Sequence, residues 1–301
     1  MENIYTSDWH IHTEASYDGL LTFPELIKNA KEQGITEFGV TEHVNYEFME
    51  VHLKKSRKLF EENYVEGMHF GVELTPISLY HHMHERTFQQ WYNIDTQIYF
   101  GRLPDYVVPP SLVPDPLIIP FSEEKIRENK GEYVGCAAHF AYNVPETREE
   151  LIKNWHQQQM MCATDSRVDI VGHPWWAPWY PDNISLERFY DSNGVMSGEP
   201  WFDDFKVIPQ SIHDEFAAAV KENGKCVEMN VSFFYVPIYT DHFKHQYAEY
   251  IRSLFEAGVP ITIGSDSHTD YLNYQEQSAK FLAPVGFTAS DFAKPKFRTY
   301  V

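Results

Sequence analysis

The chain has 301 residues, of which 43% are hydrophobic and 23% charged, and a net charge of −20. That composition excludes disorder as the main state, the lack of any run of ~20 apolar residues excludes a membrane span, and the negative charge argues against a nucleic-acid partner. Cys136, Cys162 and Cys226 form no CxxC pair, and MENIYTSDWH resembles no secretory signal, so a cytoplasmic protein with buried free thiols is expected.

In chain order the elements alternate. Ile4 to Trp9 reads as a strand, followed by the helix LTFPELIKNAKEQG, which Thr22 can cap, Pro24 can open and Gly34 can end. EFGVTEH from Glu37 is the second strand, with a helix over MEVHLKKSRKLFEENYVEG, and HFGVEL from His69 is the third. EYVGCAAHF from Glu132 is the fourth, with a helix over about 146–163, and VDIVGHP from Val168 is the fifth. KCVEMNVS from Lys225 follows the helix SIHDEFAAAVKENG, and VPITIGSDSH from Val259 follows the helix HQYAEYIRSLFEAG. Seven strands separated by helices imply a parallel α/β sheet, and their near-continuous apolar runs imply that both faces are covered. Open doubly wound sheets and closed barrels both fit. Two segments rich in Pro, Trp and Tyr, at about 76–131 and 174–208, read as loop insertions within a single domain spanning 1–301.

The chemistry collects where strands end. The first strand delivers His10 and His12, the second His43, the third Glu73, the fourth His139, the fifth His173, and the seventh Asp266 and His268. In parallel α/β folds the C-terminal edge is where active sites lie. Residues two apart on a strand point the same way, so His10 with His12, and Asp266 with His268, can each aim a pair of donors at one ion. Imidazole and carboxylate without thiolate suit Zn, Mn or Fe, and Glu73 has two oxygens with which to bridge two cations. His52, His69, His156, His213 and His245, on helices or at strand starts, read as structural histidines.

The order HxH, EH, GxE, H, GHP, DxH between Asp8 and His268 resembles the PHP (polymerase and histidinol phosphatase) superfamily, and around HIHTEASYDG and VGHP the spacing is close to that of its stand-alone phosphatases. The resemblance implies a distorted (β/α)7 TIM-like barrel with a trinuclear centre. It places His10, His12, Glu73 and Asp266 on a first metal and Glu73, His139 and His173 on a second. His43 and His268 would hold a third with Asp18, which stands where many relatives have histidine. A carboxylate there still binds a divalent ion and leans the site toward Mn or Fe, so two or three metals are expected. Asp8 reads as a support for a ligand.

Such a site suits hydrolysis of a small organic phosphate ester by a metal-bridging hydroxide, with Asp266 or His268 managing the leaving-group proton. The loops at 13–22, 44–50, 140–146, 232–243 and 267–275 hold no Lys or Arg, so a phosphate clamp must come from the insertions. Arg86, Arg102, Arg188 and Lys206 are the candidates, and Arg102 in FGRLP is preferred. The same loops are aromatic, and the second insertion opens with Trp175, which suggests a rim that stacks on substrate. The alternatives are an ester, lactone or amide hydrolase on the same metals, a nuclease, which the charge disfavours, and a non-enzymatic metal-binding scaffold, which the full set of ligand types disfavours. Oligomeric state is left open.

Overall fold

The computed structural model describes residues 3–83, 92–93, 98–99, 116–139, 147–176, 201–202, 204–235, 239–269 and 274–300. Seven parallel strands, β1 (Ser7–Ile11), β2 (Glu37–Val44), β3 (Met68–Leu74), β4 (Tyr133–Cys136), β5 (Ile170–Val171), β6 (Cys226–Asn230) and β7 (Ile261–Gly264), lie side by side in chain order. Backbone bonds from Asp266 to His10 (2.7 Å) and from His12 to Ser267 (2.9 Å) bring β7 back to β1 and close the sheet into a barrel. Asp8 fastens this seam: one oxygen accepts from the Ser265 amide (2.9 Å), the other from its hydroxyl (2.6 Å) and from Tyr5. The expected (β/α)7 architecture is therefore the one observed.

Helices α1 (Phe23–Glu32), α2 (Glu50–Asn63), α3 (Glu123–Glu128), α4 (Arg148–Thr164), α5 (Gln210–Glu222), α6 (Asp241–Glu256) and α7 (Tyr274–Leu282) accompany the strands. The α1 start is a capping box between Thr22 and Glu25. Helix α6 begins four residues before the expected start because Thr240 caps it, accepting from the Phe243 amide at 3.1 Å. The first strand runs two to three residues later than the pattern suggested, since Tyr5 is buried outside the sheet while Ile11 pairs with Val40. Helices α3 and α7 are additional to those that the sequence pattern marks. The first insertion is pinned at its base by an antiparallel pairing of Ile77–Ser78 with Leu117–Ile118.

Packing fills one end of the barrel and leaves the other for chemistry. Tyr133 points inward and its hydroxyl donates to the Trp9 carbonyl at 2.9 Å. It fits because Gly39 and Gly71 have no side chain: a Cβ at either would lie within 2.6 Å of its ring or hydroxyl. Phe297 seals this end, stacked on His69 with centroids 4.2 Å apart.

His213, on α5, packs among Phe205, Tyr250 and Trp175. Burial pulls its pKa down to about 4. The folded state thus binds fewer protons than the unfolded chain between ~6.5 and 4, and stability falls as pH drops through that window. The cost is about 3 kcal/mol when complete. His213→Phe is expected to remove it, so urea melts of the two proteins should diverge between pH 7 and pH 4; parallel curves would refute this.

Candidate metal centre

Strand geometry places the donors. His10 lies within β1 and His12 just beyond it, His43 within β2 and Glu73 within β3, where the register sets them side by side. His139, His173, Asp266 and His268 follow the ends of β4, β5 and β7. His173 (φ 20) and Asp266 (φ 53) adopt positive φ, a backbone state that costs energy for such residues and turns their side chains into the common mouth. Asp18 comes from the loop after β1. Alternation sends Glu42, the neighbour of His43, to the opposite face, where Thr13 and Ser56 donate to it and burial pushes its pKa up to about 7.

The donor atoms fall into three groups. In the first, Nε2 of His10 and of His12 lie 3.3 and 3.4 Å from Glu73 Oε2, 3.5 and 3.2 Å from Asp266 Oδ1, and 3.1 Å from each other. In the second, Nε2 of His139 and of His173 lie 3.4 and 3.3 Å from Glu73 Oε1. In the third, Nε2 of His43 and of His268 lie 3.4 and 3.3 Å from Asp18 Oδ2 and 3.3 Å from each other. Glu73 thus serves two groups, one oxygen to each, and His43 Nδ1 approaches Oε2 at 2.7 Å from the third.

The charges are held tightly. Burial disfavours the charged form of His10, but Glu228, Glu73 and Asp266 outweigh it and raise its pKa well above the ordinary value. Against the same opposition, Glu73 and Asp18 raise that of His43, and Asp18 that of His268. His12 moves the other way, lowered by burial and by His43 and His268. Although burial opposes it, the surrounding imidazoles keep the carboxyls of Glu73, Asp266 and Asp18 well below the usual range.

These residues fit divalent cations. Two donors on one tetrahedral zinc, each about 2.0–2.1 Å from it, sit roughly 3.3–3.4 Å apart. The spacings within all three groups bracket that value. Glu73 is buried with four further imidazole nitrogens about 3.3–3.4 Å from its oxygens besides His43 Nδ1 at 2.7 Å, and the Nε2 atoms of His10 and His12, and of His43 and His268, face each other at 3.1 and 3.3 Å, a massing of lone pairs that cations satisfy together. The outer nitrogens are braced: His139 Nδ1 lies 2.9 Å from the Thr75 hydroxyl, which donates to Asn45, and His268 Nδ1 lies 2.9 Å from the Asp266 carbonyl.

The structure therefore brings together all nine donors named from the sequence: His10, His12, Asp18, His43, Glu73, His139, His173, Asp266 and His268. The substrate-contact reading of Trp175 needs correction. Trp175 is fully buried, its ring packed against Trp201, Phe205 and His213. Its positive φ (65) reverses the chain, so that the next residue, Trp176, is the one whose ring lies 6.0 Å from His173. Arg86, Arg102 and Arg188 lie outside the described residues. Lys206 is exposed and lines a separate groove of about 270 Å³ with His213 and Tyr250. His52 is a core histidine, its Nδ1 2.7 Å from the Ala15 carbonyl. Sequence reasoning missed Glu228 on β6, whose carboxylate is buried beside His10 and His173; a lone carboxylate inside the apolar run KCVEMNVS was the available signal.

A parallel barrel with imidazoles and carboxylates massed at its C-terminal edge defines the class of barrel-shaped, metal-dependent hydrolases. Within that class the PHP domain model matches residues 8–285, and the chain belongs to that family. Among solved structures it is similar to histidinol phosphate phosphatase from Lactococcus lactis, complexed with zinc, L-histidinol and phosphate. That likeness has a TM-score of 0.54 at 16% identity over 94% of each chain. It is also similar to a probable 2-pyrone-4,6-dicarboxylic acid hydrolase from Acinetobacter baumannii with citric acid bound (TM-score 0.47, 14% identity, 95% of this chain and 94% of that one). No curated protein matches the chain in sequence.

Proposed function

We propose that the protein is a metal-dependent phosphoesterase acting on a small organic phosphate ester. The observation that carries this reading is the three donor groups, spaced for cations and joined through Glu73. His10, His12, Glu73 and Asp266 would hold one ion, Glu73, His139 and His173 a second, and Asp18, His43 and His268 a third. Bound cations supply an ionised water at neutral pH and neutralise charge on the phosphoryl oxygens.

The rest is the work of side chains. Glu73, His10, His12 and His173 are all but sealed from solvent, whereas Asp266 (12% exposed), His268 (27%) and Asp18 (33%) face the opening. A substrate reaches the centre from that side. Asp266 and His268 border that opening: Asp266, held ionised, would orient a water that protonates the departing alkoxide, and the carbonyl that accepts from His268 Nδ1 fixes the His268 ring. Tyr17, with its ring 5.3 Å from that of His43, and Trp176, braced edge-on by Phe233 at 4.8 Å, flank the donors. Such walls favour a leaving group with a flat or apolar face. The histidinol and phosphate of the Lactococcus lactis neighbour are one instance of that chemistry.

The test joins elemental analysis to a screen for phosphate release from sugar, nucleotide and amino-alcohol phosphates, with lactones and amides alongside. Bound divalent metal with phosphate released from at least one ester is expected. Turnover confined to lactones or amides would transfer the assignment to carbonyl hydrolysis, which the absence of Lys and Arg from the short loops also allows.

A further inference from the structure

Behind the donor groups lies a carboxylate that none of them uses. Glu228, in the middle of β6, is 1% exposed. Its Oε1 lies 2.8 Å from His10 Nδ1, and its Oε2 accepts from the His173 backbone amide at 2.6 Å. Asn230 spans from the same carboxylate toward Asp266, its amide nitrogen 3.5 Å from Glu228 Oε2 and 3.4 Å from Asp266 Oδ2. Room for the carboxylate is built into β7: a Cβ at Gly264 would lie 2.1 Å from Glu228 Oε1.

We infer that Glu228 is the positioning residue of the metal centre, holding His10 in the tautomer that presents a bare Nε2 and anchoring the His173 turn through its backbone. The inference rests on the metal-centre reading above. A carboxylate oxygen accepts, so the 2.8 Å contact between Glu228 Oε1 and His10 puts the hydrogen on Nδ1. When a cation takes the place of the second ring proton, the one N–H that remains is the one held by Glu228, so Nε2 presents its lone pair on the side of Glu73, Asp266 and His12. The negative charge behind the ring also makes that lone pair a better donor. The second oxygen acts on the neighbouring group: it fixes the amide of a residue held at φ 20, where the backbone would otherwise relax and swing the His173 ring away from Glu73. One side chain thereby sets the aim of a ligand in the first group and the backbone of a ligand in the second.

The test is Glu228→Gln in the full chain, titrated with Co²⁺, whose d–d spectrum reports coordination. The amide keeps an oxygen for the His173 backbone but turns an NH₂ toward His10 Nδ1, which forces the hydrogen of His10 onto Nε2, the atom that should bind. Cobalt affinity at the ion held by His10 is expected to fall about 10- to 100-fold, while the ion of Asp18, His43 and His268 binds as before. No change, or an equal weakening of every ion, overturns the inference. Failure of the unaltered protein to bind Co²⁺ overturns the metal-centre reading instead. If the variant does not fold, ¹⁵N-histidine NMR of the unaltered metal-loaded protein decides: a hydrogen on His10 Nδ1 is expected, and its absence overturns the inference.

Discussion

Glu73→Gln is expected to strip the protein of more than one metal ion and to lower turnover by on the order of a thousandfold. Its two oxygens do different work: Oε2 faces His10 and His12 at 3.3 and 3.4 Å, and Oε1 faces His139 and His173 at 3.4 and 3.3 Å. An amide of the same shape keeps one acceptor, turns a donor toward the other pair of imidazoles, and removes the negative charge that offsets two cations. No neighbour can substitute: Asp266 and Asp18 each already serve one group, and the two oxygens of Glu228 are engaged by His10 Nδ1 and the His173 amide. Metal ions stabilise a phosphoryl transition state by several kcal/mol, and each 1.36 kcal/mol is a factor of ten in rate, which sets the size of the loss. Metal content and phosphate release measured on the same preparation check it. Retention of every ion with turnover within tenfold of the parent would remove Glu73 from its bridging role.

The legibility of this centre in the sequence has a physical cause. Parallel strands deliver their C-terminal ends to one rim, so the donors His10, His43, Glu73, His139, His173 and Asp266 converge in space although they are dispersed in sequence. Any one of them alone reads as an ordinary buried polar residue; their shared position at strand ends is what distinguishes them. Glu228 escaped because it sits inside its strand, one residue on from Val227 and two before Asn230, where periodicity says only that it is buried. The burial itself was the clue, since a carboxylate among Val and Met must find partners. Trp175 and Trp176 were indistinguishable by composition. Which one faces the donors depends on a backbone reversal at φ 65 that no spacing rule encodes. The register at the barrel seam was equally opaque, because it depends on Asp8 reaching Ser265, 257 residues away.

Chelation is expected to lower the melting temperature, and by more at pH 8 than at pH 6. Without cations, His10, His43 and His268 owe their raised pKa values to the carboxylates around them. A raised folded-state pKa gives stability that is complete below ~6.5 and is lost as pH rises through the folded value. Glu73, Asp18 and Asp266, with lowered values, contribute stability that is complete above the ordinary carboxylate range, so they stay constant across this interval. These three imidazoles therefore weaken the metal-free protein between pH 6 and pH 8, whereas His12 and His139, with lowered values, act with the opposite sign mainly below ~6.5. Cations run the other way: they require the same imidazoles deprotonated, so their apparent affinity climbs over that interval. An ion present at a thousand times its Kd adds about 4 kcal/mol, which for a chain of this size is on the order of 10 °C. Thermal melts with and without chelator at the two pH values measure the difference directly. A gap that is larger at pH 6 would mean that protons, rather than cations, are what this cluster of imidazoles and carboxylates is built to hold.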